Sequence, residues 1–477
     1  MIPPPVPALL DPLVREFLES ARPLAAGHPT PLHLVFPAVF AANAAALTAV
    51  LEQRDLSHRI WYAHKVNRSA AFAREAERAG LAIDVASPGE LDSALRAGFA
   101  PARIEATGPK GERFLRRLLA EGVTVNADNV WEVEQLAAAA GGPVPILLRI
   151  SGFPGTAASR FGIALAAIPA VLDRLAAFRD RIALRGFSFH LDTAEQRDRV
   201  RAIAACLPLF EAAWARGLSP TVLDIGGGLR QVFAADPGSY DAYTRALRES
   251  LLGHGRPLAW SGATFGYRVE AGAVTGTPVF HKYANTVAPA TALGALLDAE
   301  VPGQGRSVAA ILTDNLLELW LEPGKSLTDH AGITLARIEF TRDLPDGSVL
   351  ANLDISRDQV TPADQESLVD PLLLAGDAAP RPPEPVAAFL AGRLCLERDM
   401  VSTRAVRLPF RPRPGDLLVF PNTAGYHSDL SAATAAGHPL PPTFAVRRGP
   451  GGFTVVPDAD HRPAQEGSCA RTTASPS

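Results

Sequence analysis

The sequence predicts a closed (β/α)8 barrel followed by a β-rich domain. Three observations lead there. From residue 60, short apolar segments at 60–63, 82–85, 104–107, 124–127, 145–150, 183–190 and 221–225 alternate with helical stretches. Short strands that alternate with helices need crossover connections, and crossovers make a sheet parallel. The run counts nearly eight such units, which favours a closed barrel over an open sheet. Beyond Gly332 the rhythm changes, and segments 333–342, 348–355, 401–408 and 416–420 read as strands between Pro/Gly turns.

In chain order, residues 1–30 are proline-rich with one helix-like piece at 12–25, followed by a strand at 31–36 and an alanine-rich helix at 40–53. The alternation then starts, strand 60–63 before helix 69–79 and strand 82–85 before helix 88–97. After Gly228 it breaks, and 230–306 reads as a long insertion or lid. A strand at 316–321 runs into Glu322-Pro-Gly-Lys325. The expected organisation is a barrel over 36–332 with an insertion at about 230–306. A β-domain is expected from 1–35 and 333–460, with a disordered polar tail over 461–477.

At 477 residues the chain can hold two substantial cores. A formal net charge of −4 gives no basic excess, which argues against a nucleic-acid partner. The apolar runs fall short of a membrane span, and Met1-Ile-Pro-Pro-Pro-Val-Pro lacks the regions of a signal peptide. Three cysteines, Cys206, Cys395 and Cys469, are too few and too scattered for a disulfide framework or a zinc site, so no metal is expected. A cytoplasmic enzyme acting on a small molecule fits this composition best.

Reactive side chains of such a barrel collect at the C-terminal ends of the strands. Those ends offer Lys65, Asp84, Arg149, His190, Gly226-Gly227-Gly228 and Glu322. Each has a plain reading alone. Lys65 could snorkel to solvent, the glycines could form a tight turn, His190 could be a strand-end histidine, and Glu322 could end a strand in an ion pair. Together they are chemically coherent. A lysine holds an aldehyde as a Schiff base. A glycine run lets backbone N–H groups approach a phosphate. A carboxylate keeps a proton on a pyridine nitrogen. That combination describes a pyridoxal 5'-phosphate site.

The motifs carry a further likeness. Tyr62-Ala63-His64-Lys65-Val66-Asn67, Asp84-Val-Ala-Ser-Pro-Gly-Glu-Leu91, Ser159-Arg-Phe-Gly162, Asp224-Ile-Gly-Gly-Gly228 and Glu322-Pro-Gly324 occur in order, followed by Cys395, Gly415-Asp416 and Tyr426. In these motifs, from about residue 31 to 432, the sequence resembles the fold-type III pyridoxal-phosphate decarboxylases. That is the family of ornithine/arginine and diaminopimelate decarboxylases, whose barrel is alanine-racemase-like.

The resemblance implies roles. Lys65 would carry the cofactor, His190 would stack on its ring, and Glu322 would pair with the pyridine nitrogen. Gly226, Gly227, Gly228, Thr193, Gly324, Lys325 and Tyr426 would surround the phosphate, with Asp84 and Arg149 supporting the ring. Family active sites form between two subunits, so the resemblance implies a homodimer in which Cys395 reaches the partner's site as proton donor. Glu397 and Asp399 would then face the substrate. The related alanine racemases place an arginine opposite the pyridine nitrogen, so Glu322 favours decarboxylation over racemisation.

Three departures bear on the substrate. His190-Leu-Asp192-Thr193 replaces the family's His-x-Gly-Ser, Lys325 replaces an arginine, and Leu396 replaces the acid that follows the cysteine. A missing acid weakens the expectation of free ornithine, lysine or diaminopimelate. Trp260, Tyr267, Arg268, His281, Lys282 and Tyr283 of the insertion could wall a larger pocket. The segment Phe420-Pro-Asn-Thr-Ala-Gly-Tyr426 resembles a siderophore-biosynthesis branch, whose enzymes act on a diamino acid joined to a carboxylate-rich unit such as citrate. The expectation is decarboxylation at Cα of an amino acid or such a conjugate. The alternatives are a diaminopimelate or ornithine/lysine decarboxylase and an inactive regulatory homologue.

Overall fold

The computed structural model describes residues 2–20, 29–192, 195–280, 284–361, 368–376, 381–428 and 433–463. Eight parallel strands close into a barrel: β2 (His58–Ala63), β3 (Ala82–Val85), β4 (Ile104–Ala106), β5 (Thr124–Ala127), β6 (Val144–Ser151), β8 (Ile182–Ser188), β9 (Val222–Asp224) and β12 (Glu318–Leu321). Closure comes from the β2–β12 and β5–β6 pairings. The two-residue β7 (Ile163–Ala164) lies beside the end of β6. The sequence's barrel is therefore present, with its strands close to the expected segments.

Local chemistry sets the helix ends. Ser69 accepts the N–H of Phe72 and starts helix Ala70–Arg78. Ser87 accepts the N–H of Glu90 while Glu90 takes the N–H of Ala86, a reciprocal cap at the start of helix Pro88–Ala97. The helices lay apolar faces on the barrel. Phe72 stacks on Phe40 of helix Pro37–Glu52 with ring centroids 4.9 Å apart.

Side chains alternate across a strand, so the barrel interior is built in layers. The lower layer is apolar: Trp61, Ala82, Leu147, Val222 and Trp320 form one buried cluster, the two indoles 4.6 Å apart. Gly186 belongs beside it because a Cβ there would sit 1.9 Å from the carbonyl oxygen of Val222. Two residues further along, the layer turns polar on every strand of that cluster but β2, which carries Ala63; it holds Asp84, Asn126, Arg149, Ser188, Asp224 and Glu322, joined by Glu105 on β4. A ring of polar and charged groups on top of a packed apolar floor is where this barrel does chemistry.

The remaining strands form a mixed sheet ordered β17-β16-β14-β13-β1-β19-β20, with β18 on β13 and β15 on β18. These are β1 (Leu32–Val35), β13 (Gly332–Asp343), β14 (Val349–Leu353), β15 (Leu372–Leu374), β16 (Val386–Ala391), β17 (Met400–Leu408), β18 (Leu417–Phe420), β19 (Thr443–Gly449) and β20 (Gly452–Pro457). Strand β1 comes before the barrel in sequence yet pairs antiparallel with β13 and parallel with β19. Described structure also continues past residue 461. His461 is buried, with Nε2 3.0 Å from Glu75, while 464–477 of the expected tail lie outside the described residues.

Between β9 and β12 lie helices Pro237–Leu251 and Pro289–Asp298 and the hairpin of β10 (Arg268–Glu270) and β11 (Ala273–Thr275). Phe233, Tyr243, Leu258, Tyr267 and Phe280 of this region share a buried core with Phe389 and Met400 of the β-sheet. It fastens barrel to sheet.

Candidate active site

A cleft opens at the C-terminal end of the barrel, lined among others by Lys65, His190, Asp192, Gly227, Gly228, Arg230, Glu322, Lys325 and Tyr426. Lys65 rides on a 3-10 turn, His64–Val66, that ends β2. Its Nζ stands 3.1 Å from Asp84 Oδ2, with the lysine side chain 37% exposed to the cleft and the carboxyl buried. Burial opposes the ammonium, but Asp84 and then Glu322 outweigh it and hold the pKa above the ordinary lysine value.

His190 follows β8. Burial, then the charges of Lys65, Arg149 and Arg199, push its pKa down to about 3, so the imidazole is neutral. Its Nδ1 accepts the N–H of Gly227 at 3.3 Å, which places the remaining proton on Nε2. Glu322 is buried after β12, and Asn126 Nδ2 donates to its Oε1 at 3.4 Å. Its own N–H donates to the carbonyl of Gly226, so the carboxylate strand end and the glycine turn are one bonded unit.

The glycine turn differs from a simple three-donor cradle. Gly226 N–H donates to Asp224 Oδ1 at 2.7 Å and Gly227 N–H to His190, which leaves the Gly228 N–H without an acceptor among the described residues. Space explains the composition: a Cβ on Gly227 would lie 2.4 Å from the Glu322 carbonyl oxygen, and one on Gly228 2.1 Å from Arg199 Nη2. Gly324 packs on Val66, bringing the Lys65 turn against the strand end that carries Glu322.

Arg149 is held rather than exposed. Its guanidinium lies 3.6 Å from Asp128 and 4.6 Å from the ring centre of Phe161, in the motif that ends at Gly162. Tyr426 comes from the chain after β18 and reaches the cleft because its N–H donates to the carbonyl of Val66 at 2.9 Å. Lys325 Nζ sits 5.5 Å from the Tyr426 ring centre. Asn422, four residues earlier, bonds Gln231, Asp329 and the N–H of His330, pinning that segment between barrel and sheet.

Other expected residues fall elsewhere. Thr193, His281, Lys282 and Tyr283 lie outside the described residues. Trp260 packs on Phe389, Tyr267 is buried beneath Arg248, and Arg268 is exposed on the hairpin, so none of these three lines the cleft. Cys395 and Glu397 are exposed on the loop after β16, away from the cleft of their own chain. Asp399 is buried and accepts the N–H groups of Arg357 and Leu394 at 2.8 and 2.7 Å; in this chain it fastens the cysteine loop. Glu105, Asn126 and Arg230 were not anticipated. The sign of Glu105 was an acid in the middle of the apolar strand Ile104-Glu105-Ala106.

Residues 42–257 match the family described as pyridoxal-dependent decarboxylase, pyridoxal binding domain. The uncharacterized protein y4yA of Sinorhizobium fredii is 36% identical over 469 residues, 96% of this chain and 95% of its own length. The diaminopimelate decarboxylase of Actinosynnema pretiosum is 26% identical over 452 residues, 90% of this chain and 86% of its own. The chain belongs to the fold-type III pyridoxal-dependent decarboxylases. This decarboxylase is also 30% identical to the diaminopimelate decarboxylase of Pseudomonas aeruginosa over 221 residues, 43% of this chain and 52% of that one. Among solved structures, the arginine decarboxylase of Paramecium bursaria Chlorella virus bound to agmatine aligns with a TM-score of 0.67 at 19% identity, over 90% of this chain and 99% of that one. The diaminopimelate decarboxylase of M. jannaschii in complex with L-lysine gives 0.67 at 17%, over 93% and 94%. Its cofactor is pyridoxal phosphate, and the cleft suits that group. A lysine, a carboxylate and a glycine N–H left open among the described residues converge on one cleft.

Proposed function

We propose that this decarboxylase removes the α-carboxyl group of an amino acid whose distal end carries an acidic group, such as a diamino acid joined to a carboxylate unit. One observation carries the chemistry: Lys65 and the buried carboxylate Glu322 face the same cleft. Bound there, pyridoxal phosphate supplies an electron sink for the pair left at Cα when CO2 departs. Lys65 would hold the cofactor covalently and exchange it for the substrate amine. Glu322 would keep a proton on the pyridine nitrogen, and neutral His190 would pack on the ring without adding charge. Gly228, Lys325 and Tyr426 would hold the phosphate.

Arg230 on the cleft wall supports an acidic distal group, since it is a cation facing the space where a substrate lies. Leu396, half exposed where the family carries an acid, supports the same reading by removing a partner for a distal ammonium. The exposed Cys395 loop supports a homodimer in which Cys395 enters the partner's cleft and returns the proton to Cα. No described helix is long and apolar enough to cross a membrane, and a cytoplasmic enzyme is the accompanying proposal.

The test is CO2 release from the purified protein, reconstituted with cofactor, across free diaminopimelate, ornithine, lysine, arginine and citryl-diamino acid conjugates. Release from conjugates alone is the expected result. Release from free diaminopimelate would instead favour the second reading, which its named relatives support. Co-expressing Lys65→Ala with Cys395→Ala should restore part of the activity each lacks; no restoration counts against the shared site.

A further inference from the structure

Behind Glu322 the barrel holds more acid than a pyridine partner requires. Glu105 on β4, Asp224 on β9 and Glu322 each offer a carboxyl oxygen within 4.8 Å of the others, and all three are buried. Neither oxygen of Glu105 has a hydrogen-bond partner, nor does Oδ2 of Asp224, whose Oδ1 takes the Gly226 N–H. Asn126 orients the group. Its Oδ1 accepts the Ser188 hydroxyl at 2.7 Å, which turns its Nδ2 toward Glu322. Asp84 adds a fourth carboxyl from β3. Lys65 and Arg149 face the cluster from the cleft side, and Lys110, paired with Glu132, is the cation behind Glu105.

Three carboxylates this close in a dry interior cannot all ionise, because each desolvated charge raises the price of the next. The protons settle unevenly. Burial, then the charge of Glu322, holds both Glu105 and Asp224 well above the usual carboxylate range. Burial and Asp84 also raise Glu322, but Lys65, the neighbouring Asp224 carboxyl, and Arg149 favour its ionised form.

We propose that Glu105 and Asp224 are positioning residues for Glu322: both stay protonated beside it, so that of these three carboxyls only Glu322 is negative toward the cleft. The inference rests on Glu322 being the partner of the pyridine nitrogen. Asp224 spans two parts of the site, one oxygen on the glycine turn and the other in the cluster, so one strand end couples the phosphate side of the cleft to the ring-nitrogen side. No hydrogen bond ties Glu105 to a described residue outside this cluster.

A buried carboxyl with a raised pKa gives stability that is complete below its unfolded value and is lost as pH rises toward its folded one. Glu105→Gln keeps the shape and a hydrogen-bond donor but cannot ionise; Glu105→Leu removes both. Full-length protein stripped of cofactor would be melted from pH 5 to 9, then titrated with pyridoxal phosphate and with its 1-deaza analogue, which lacks the ring nitrogen. Glu105→Gln should lose less melting temperature than wild type as pH rises, with near wild-type cofactor affinity. Glu105→Leu should lose about tenfold of the preference for pyridoxal phosphate over the analogue, because the polar neighbour that sets the charge of Glu322 is gone. Parallel melting profiles for wild type and Glu105→Gln would overturn the proposal, as would an unchanged preference in Glu105→Leu. Binding of Mg2+ or Mn2+ to the stripped protein that Glu105→Gln abolishes would also overturn it, by making the cluster a metal site. Wild type that prefers neither cofactor form would sink the reading of Glu322 itself, while the melting profiles would still decide whether the protons are retained.

Discussion

Lys65 Nζ and Asp84 Oδ2 meet at 3.1 Å across neighbouring strand ends, the lysine open to the cleft and the acid buried beneath it. The contact aims the amine at the cleft and keeps it charged until cofactor arrives. Lys65→Ala should reduce CO2 release below detection and abolish the visible absorbance band of the loaded protein, with the fold intact by circular dichroism. Substantial turnover in that variant would remove Lys65 from the chemistry.

The same pair predicts how cofactor loading depends on pH. The amine must lose its proton to react, and Asp84 and Glu322 raise its pKa against the opposing effect of burial. Loading of stripped wild type should therefore accelerate as pH rises from 6 to 9. In Asp84→Asn the main charge that holds the proton is gone while burial remains, so the pKa falls and loading at pH 7 should be faster and less steep in pH. Absorbance-monitored loading rates check this, and an equally steep profile in Asp84→Asn would contradict it.

Gly227 is squeezed rather than twisted. A Cβ there would come within 2.4 Å of the Glu322 carbonyl oxygen, a backbone atom tied to the turn through the Glu322 N–H and the Gly226 carbonyl. Gly227→Ala must part the glycine turn from the strand end that carries Glu322. Cofactor affinity should fall at least tenfold, with a smaller change in melting temperature. Equilibrium titration with pyridoxal phosphate measures it, and undiminished affinity would show that the two ends separate without consequence.

The barrel was legible because its signal is local. Short apolar segments alternating with helical stretches are written within a few residues. Lys65, His190, the glycines and Glu322 were legible for the same reason, each closing a strand. Strand β1 was legible as a strand, but its pairing with β13 and β19 was not, since those partners lie some hundreds of residues away. The aromatic residues of 230–306 misled because composition does not say which way a ring faces; Trp260 and Tyr267 pack into the joint with the β-sheet. Asp399 shows the limit for single residues. An acid near the cysteine suits a substrate, but two backbone N–H groups claim it first.

Lys110 and Glu132 form a buried pair, both side chains without exposure and the charged atoms 3.0 Å apart. Lys110 also donates to the carbonyls of Gly108 and Asn126, while Glu132 accepts the N–H groups of Lys110 and Asp128 and caps its helix with Asn129. Through Asp128, which receives the Gly162 N–H and faces Arg149, the pair supports one wall of the site. Glu132→Ala leaves Lys110 buried and unmatched and should lower unfolding free energy by about 3–5 kcal/mol near pH 7. Burial already lowers the Lys110 pKa against the charge of Glu132. Without that charge it falls further below its unfolded value, so the unfolded chain binds the extra proton and stability rises with pH. The deficit in Glu132→Ala should therefore shrink toward pH 9, and adding Lys110→Met should recover part of it at pH 7. Urea unfolding at both pH values decides; a deficit that is independent of pH would mean that lost hydrogen bonds, not the stranded charge, carry the effect.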